Sequence, residues 1–588
     1  MQKKSNQQII EILKNGKIKF ATVSGVLTTK PNLIEWVDNE IPEIDLITSK
    51  SYQVKPNQGN REPIFTETFV GSYANAVGLQ NPGMEKAYND LVELKNRHEM
   101  RALLNVSISA NSIEDFITLV KKFEDVADIL ELNFSCPHAK VGYGSSIGCD
   151  ADLVEKYIKE IRKSTSILLF PKLTPNVENI GKIALAAIDG GADGIVAINT
   201  VGPEVYIEPR TQKPILNNPN GHKGGKSGNW IKKIALEKIT EIRKAVGLDV
   251  PIIGMGGVSN GEDVINLKKA GADVVGVGSV LARVRQKSMP AFFTALKKDA
   301  ENLKSPQPPF AKWGKFKNSS DKFLRNDRLA EYKPYKIKKI IEKTKDLKIF
   351  ELSGHIDYDA SQYVFIWEKS ISGEKPFAIV KNNPLTFLIR KREYNPEEKR
   401  GLVTHSLFEL KEGDEMMIRG VYGADAPNSE KKNVCIIAGG TSIAIIPKLV
   451  EKLSEQGKKI TVYYGTVSED QIVFKEEIEK FAKYISVIDN DVVARVLNVA
   501  KEDLKKEDSL EDFCFYNVGP TAFIKAAMDI EKNLGGDIKD IFACVETNNM
   551  CGMGVCGECE CGGILTCQEG TFFNMDFLES KNIDIIKL

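Results

Sequence analysis

The sequence lacks any apolar run long enough to cross a bilayer, which takes about 20 residues. Its most apolar stretch, Val434 to Pro447, is short and is broken by Gly439, Gly440, Thr441 and Ser442. A charge surplus is missing too: 80 Lys and Arg stand against 80 Asp and Glu. Polyanion binders carry a basic excess, so a nucleic-acid partner is not expected. The opening Met1-Gln-Lys-Lys4 is polar and carries no apolar signal core, so neither secretion nor a membrane is expected, and the expected location is the cytoplasm. There is no internal repeat and no low-complexity tract. With 42% hydrophobic and 27% charged residues the 588-residue chain is of ordinary globular composition, which excludes wholesale disorder. A length of this order accommodates about three to five domains.

What is present begins with an alternation of short apolar runs and amphipathic stretches from about residue 18 to 285. The apolar runs include Ala102–Val106, Ile129–Asn133, Ile167–Lys172, Gly194–Asn199, Val250–Gly254 and Val274–Gly278. Between them lie helical patterns such as Asp152–Ser164, Ile180–Ile188, Ile231–Ala245 and Glu262–Ala270. Strand and helix repeated in this way read as a parallel sheet, and at least six units in about 270 residues fit a (β/α)8 barrel over residues 1–300. Residues 301–334, with Pro306-Gln-Pro-Pro-Phe310, lose this periodicity and read as a linker. Residues 335–431 alternate as an antiparallel β domain, expected to be a small barrel. Residues 432–542 return to β/α, and residues 543–588 hold the cysteine cluster.

Six of the ten cysteines fall between residues 544 and 567. A disulfide framework belongs to small secreted domains, so a metal site is the better reading. Cys551-Gly-Met-Gly-Val-Cys556-Gly-Glu-Cys559 is C-x4-C-x2-C, with Cys567 eight residues on. That is the ligand spacing of a plant-type [2Fe-2S] cluster, whereas zinc sites usually pair two C-x2-C units. Cys551, Cys556, Cys559 and Cys567 are the expected ligands, Cys561 competes for the fourth position, and Cys544 reads as a small apolar residue. Such a cluster transfers single electrons, which favours a redox function.

In the barrel, Leu132-Asn133-Phe134-Ser135-Cys136-Pro137-His138 places Cys136 on a strand-to-helix loop. A thiol there can move a proton, since its ordinary pKa is about 8.5; a buried structural cysteine is the alternative. Asn75, Asn105, Asn133 and Asn199 follow or end apolar runs, and together they suggest a polar heterocycle at one barrel mouth. Gly254-Met-Gly-Gly257 and Gly276-Val-Gly-Ser279 follow the last two strands, where barrels often bind phosphate through backbone N–H groups.

Ser24-Gly25, Thr48-Ser-Lys50, Asn75 through Gly83, Asn133-Phe-Ser-Cys-Pro137, Lys172-Leu-Thr-Pro-Asn176, Ile198-Asn-Thr200 and Gly254-Met-Gly-Gly257 together resemble the catalytic subunit of class 1B dihydroorotate dehydrogenases. Residues 335–588 resemble the iron–sulfur electron-transfer subunit of those enzymes, which is ferredoxin-reductase-like, so two usual subunits would be fused. The resemblance implies that Cys136 removes a proton from C5 of dihydroorotate while hydride leaves C6 for FMN. It implies that Lys50, Asn75, Asn133, Asn199 and Thr200 bind the substrate. Ser24, Lys50, Asn105, Asn133, Lys172, Gly228, Gly256, Gly257, Gly278 and Ser279 would hold FMN. Electrons would pass from FMN through the [2Fe-2S] cluster and FAD to NAD, in a homodimer or higher homo-oligomer. His138, in place of the usual Asn after Ser-Cys-Pro, leaves a uracil-like ring open as the substrate. The stretch Pro384-Leu-Thr-Phe-Leu-Ile-Arg-Lys391 carries no Arg-Pro-x-Ser/Thr, which leaves open a C-terminal half acting only as an electron-carrier or docking module.

Overall fold

The computed structural model describes residues 4–135, 145–304, 318–325, 330–368, 373–395, 401–488 and 494–587. Cys136 and His138 lie outside them, as do residues 305–317 and 326–329 of the linker. Two compact units emerge, one of residues 1–328 with 553–558 and one of residues 329–552 with 559–588.

In the first unit eight parallel strands close into a barrel: β1 (Phe20–Thr22), β2 (Ile44–Thr48), β3 (Leu103–Ile108), β4 (Ile129–Asn133), β5 (Leu168–Lys172), β6 (Ile195–Ala197), β7 (Ile252–Met255) and β8 (Val274–Val277). Each strand pairs with its sequence neighbours and β8 returns to β1, with Val275 opposite Phe20. Every strand is followed by a helix, from Pro31–Glu40 after β1 to Met289–Lys304 after β8. The expected (β/α)8 barrel is therefore present. The strands are nearly continuous apolar runs because a closed parallel barrel buries both faces of each strand.

The N-terminal helix Asn6–Lys14 closes the bottom of the barrel. Ser5 and Gln8 form a reciprocal capping box at its start. Its Ile9 and Leu13 enter a buried cluster with Leu46, Leu103, Ile129, Leu168, Phe170 and Val196. Above the opposite rim stands a four-stranded antiparallel sheet, in the order Phe65–Phe69, Ser72–Asn75, Lys223–Gly228, Val201–Val205.

The second unit holds two six-stranded sheets. The first comprises β9 (Lys333–Thr344), β10 (Leu347–Leu352), β11 (Tyr363–Trp367), β12 (Glu374–Ala378), β13 (Leu385–Arg390) and β14 (Glu415–Tyr422), in the antiparallel order β12-β11-β14-β9-β10-β13. The two end strands are consecutive in the chain, and one antiparallel bridge, Lys381 to Thr386, links them. The second sheet comprises β15 (Asn433–Gly439), β16 (Lys459–Thr466), β17 (Lys483–Ile488), β18 (Phe513–Val518), β19 (Ile541–Cys544) and β20 (Phe572–Asn574). Its order is β17-β16-β15-β18-β19-β20, parallel except for β20.

Leu13→Ala should remove side-chain volume from the barrel's closed end, where Leu13 packs with Leu46, Leu103, Ile129 and Leu168. An expected loss of about 2–5 kcal/mol is measurable by denaturant unfolding of the wild-type and variant chains. A loss below 1 kcal/mol, on the order of a surface substitution, would show that the helix is not a plug.

Candidate active site

Closing the barrel brings the C-terminal ends of all eight strands to one rim. There, within the first unit, lies a cavity of about 220 Å³. Ser24 and Gly25 reach it from the loop after β1, and Lys50 and Ser51 from the loop after β2. Asn133 ends β4 and Lys172 ends β5, both side chains entering the cavity, and Asn199 and Thr200 follow β6. Gly256 and Gly257 follow β7, and Gly278 and Ser279 follow β8. Asn75 and Gly228 arrive on neighbouring antiparallel strands of the four-stranded sheet, Asn75 opposite Gly225 and Gly228 opposite Ser72. Twelve of the thirteen described residues expected to touch substrate or flavin thus converge on one cavity.

Asn105 is the exception. It sits on β3 two residues before Ser107, fully buried below the cavity, and its amide donates to Thr48 Oγ1 at 3.1 Å. Its side-chain oxygen has no hydrogen-bond partner among the described residues.

The glycines leave room where backbone must pass close. Gly257 has φ +75°, and a Cβ there would lie 2.5 Å from Lys232 Cγ and 2.7 Å from the Gly228 carbonyl. Gly256 has φ +142°, and its Cβ would meet that of Ala235 at 2.5 Å. Both positions therefore exclude a side chain and leave bare backbone facing the cavity.

Beneath the cavity lies a buried polar chain that the sequence reading did not identify. Glu131, on β4 and 1% exposed, accepts from Ser107 Oγ at 2.7 Å and pairs with Lys172 Nζ at 3.9 Å. Ser107 Oγ lies 2.8 Å from Ser51 Oγ, which is 3.1 Å from Ser24 Oγ and receives Asn133 Nδ2 at 2.9 Å. Asn133 Oδ1 accepts from the backbone N–H and hydroxyl of Ser135, whose carbonyl receives the Asn199 amide at 2.9 Å. The signal available in the sequence was Glu131 itself, a carboxylate inside an apolar barrel strand, since such groups are rarely fully buried unless paired.

Val555 and Cys556 also line the cavity, in the segment that groups with the first unit. That segment is fastened there by Lys30 Nζ, which donates to the Glu558 carbonyl at 3.2 Å, and by Gly557, where a Cβ would collide with Thr29 Oγ1. In the second unit the Cys567 S–H hydrogen-bonds to Cys551 and Cys559, which together with burial holds this thiol well above its ordinary pKa. Cys561 instead packs in an apolar core with Phe573 and Leu578. Burial pushes Cys544 up to about 11. Among the described residues no group of three or more His, Cys, Asp or Glu is arranged to hold a metal ion.

Next to Cys551 a buried cation is locked in place. Arg419 is 1% exposed, donates through Nε to Glu374 at 2.7 Å and through Nη1 to the Cys551 carbonyl at 3.0 Å, and lies 4.2 Å over the Phe365 ring. Elsewhere in the unit Arg390 donates to Gln471 at 2.9 Å and faces Asp346 at 3.8 Å.

Residues 16–299 match the family model described as dihydroorotate dehydrogenase. The chain is 42% identical over 236 residues to the dihydroorotate dehydrogenase B (NAD(+)) catalytic subunit of Methanocaldococcus jannaschii, which covers 40% of this chain and 74% of that subunit. The like-named subunit of Alkaliphilus metalliredigens is 40% identical over 260 residues, covering 44% and 82%. That of Pyrococcus horikoshii is 39% identical over 258 residues, covering 44% and 80%.

Removing one member of a buried ion pair strands the other. Lys172→Met should therefore cost about 3–5 kcal/mol in denaturant unfolding, with most of it recovered in the Lys172→Met, Glu131→Gln double variant. A double variant no more stable than the single one would show that Glu131 does not depend on Lys172.

Proposed function

The chain belongs to the dihydroorotate dehydrogenase family, and from that premise we propose that it oxidises dihydroorotate to orotate in pyrimidine biosynthesis, with NAD receiving the electrons. The observation that carries the reading is the convergence of Lys50, Asn75, Asn133, Asn199 and Thr200 on the rim cavity. These side chains offer amide, ammonium and hydroxyl groups to a ring bearing carbonyls and N–H edges.

The donor set also fits FMN. Gly256, Gly257, Gly278 and Ser279 supply close backbone for a phosphate, and Lys50 and Lys172 supply positive charge beside a ring that gains electrons. Bound FMN would supply the hydride acceptor. Lys50, Asn75, Asn133, Asn199 and Thr200 would orient dihydroorotate with its C6–H toward that acceptor. Cys136, three residues after Asn133 in the sequence, would take the proton from C5, a role within reach of a thiol near neutral pH.

The second unit reads as a fused electron-transfer module. The support for a cluster is the C-x4-C-x2-C spacing with Cys567 eight residues on and the burial of all four side chains, so Cys551, Cys556, Cys559 and Cys567 are the proposed [2Fe-2S] ligands. For NAD, the supporting observation is Gly439-Gly440 at the end of β15, where the strand order turns from β16 on one side to β18 on the other; open sheets bind ligands at such switch points. The strand read as the FAD contact, β13, offers Arg390, which is committed to Gln471 and Asp346. That strand does not fit a diphosphate clamp.

Anaerobically purified protein given NAD should form NADH with dihydroorotate and not with dihydrouracil. The reverse preference would assign the cavity to uracil-like rings. Cys567→Ser should remove the visible absorbance of the iron–sulfur cluster while Cys561→Ala retains it. Equal loss in both variants would reject the proposed ligand set.

A further inference from the structure

An ionised carboxylate accepts hydrogen bonds and donates none, and a hydroxyl donates only one. Those two rules fix the direction of every bond in the chain under the cavity. Ser107 gives its hydrogen to Glu131 Oε1 at 2.7 Å, so toward Ser51, 2.8 Å away, it can only accept. Ser51 thereby spends its own hydrogen on Ser107 and must accept from Ser24 at 3.1 Å and from Asn133 Nδ2 at 2.9 Å. The Asn133 amide is checked independently, because the Ser135 backbone N–H can only donate and does so to Oδ1. All three hydroxyl hydrogens point down toward Glu131.

The geometry points to Glu131 as a specificity-determining positioning residue: through Ser107 and Ser51 it forces Ser24 to present lone pairs to the cavity, beside the Asn133 amide, whose N–H side the Ser135 backbone holds in place. Lys172, paired with Glu131 at 3.9 Å, presents donors beside them. An acceptor set among donors matches an imide edge, in which a ring N–H lies between two carbonyls. A ring with that edge reversed, carrying an unprotonated nitrogen between amino groups, would face Ser24 lone pair to lone pair and Asn133 donor to donor. Glu131 touches no ligand in this account and acts only by orienting what does. A carboxylate without a hydroxyl chain would hold Lys172 equally well, so Ser107 and Ser51 are what this inference adds to a merely structural ion pair.

The inference rests on the proposed flavin and pyrimidine reading of the cavity, and an imide edge belongs to both rings. Two titrations separate the sources: FMN into the apoprotein, and orotate into the FMN-loaded protein. Ser107→Ala cuts the chain while leaving the Glu131–Lys172 pair. Glu131→Gln, nearly isosteric, lets an amide N–H face Ser107 and permits the chain to reverse. Each variant should bind one of the two ligands about 10-fold more weakly, the measure of one misdirected hydrogen bond in a closed site. The carbonyl stretching band of that same ligand should shift in infrared difference spectra, a change that loss of packing alone would not produce. Loss confined to FMN assigns the imide edge to the flavin, and loss confined to orotate assigns it to the substrate. If the wild-type protein binds FMN and both variants match it in both affinities and in the carbonyl bands, the inference is overturned while the proposed function stands. A wild-type protein that takes up neither ligand overturns both.

Discussion

Barrel closure is the constraint from which the site follows. Eight parallel strands joined β8 to β1 have one common rim at their C-terminal ends, so segments as far apart as Ser24 and Ser279 reach a single cavity. No one segment carries a complete site. Lys50, Asn133 and Lys172 come from three different strand ends, and each is positioned by a strand whose own register is set by its neighbours. The helix Asn6–Lys14 completes the arrangement by sealing the other end with Ile9 and Leu13, which leaves the functional rim as the open one.

The two units handle buried charge in a comparable way. Glu131 lies under the cavity floor with Lys172 and a chain of hydroxyls, and Arg419 lies beside the cysteine segment with Glu374 and the Cys551 carbonyl. A buried ion pair adds little net stability, because desolvation offsets most of the attraction. What it does provide is direction. A group with fixed hydrogen-bond polarity dictates the orientation of its partners, and in both places those partners belong to segments with proposed chemistry.

Much of the first unit was legible. The runs Ile129–Asn133 and Val274–Gly278 became strands nearly to the residue, because a strand buried on both faces must be apolar throughout. The four-stranded sheet over the rim was not legible. Its strand Lys223–Gly228 reads Lys-Gly-Gly-Lys-Ser-Gly and has no strand propensity of its own, so pairing with Ser72–Asn75 imposes the extended form. That sheet carries Asn75 and Gly228; Asn75 was expected from its place at the end of an apolar run as well as from resemblance, Gly228 from resemblance alone. In the second unit the apolar-polar alternation of Phe377–Lys381 suggests a strand there, but the strand is Glu374–Ala378, with Pro376 tolerated because β12 is an end strand of the hydrogen-bonded order. The hydroxyl chain escaped notice because Ser51, Ser107 and Glu131 are widely separated in sequence and meet only when β2, β3 and β4 align.

The central claim is that the rim cavity oxidises dihydroorotate at a bound flavin. Its most direct test is anaerobic addition of dihydroorotate to the purified, flavin-loaded protein without NAD, followed by visible spectroscopy. The account requires the flavin band to bleach and orotate to appear in proportion. An unchanged flavin band in protein that has demonstrably bound dihydroorotate would contradict it.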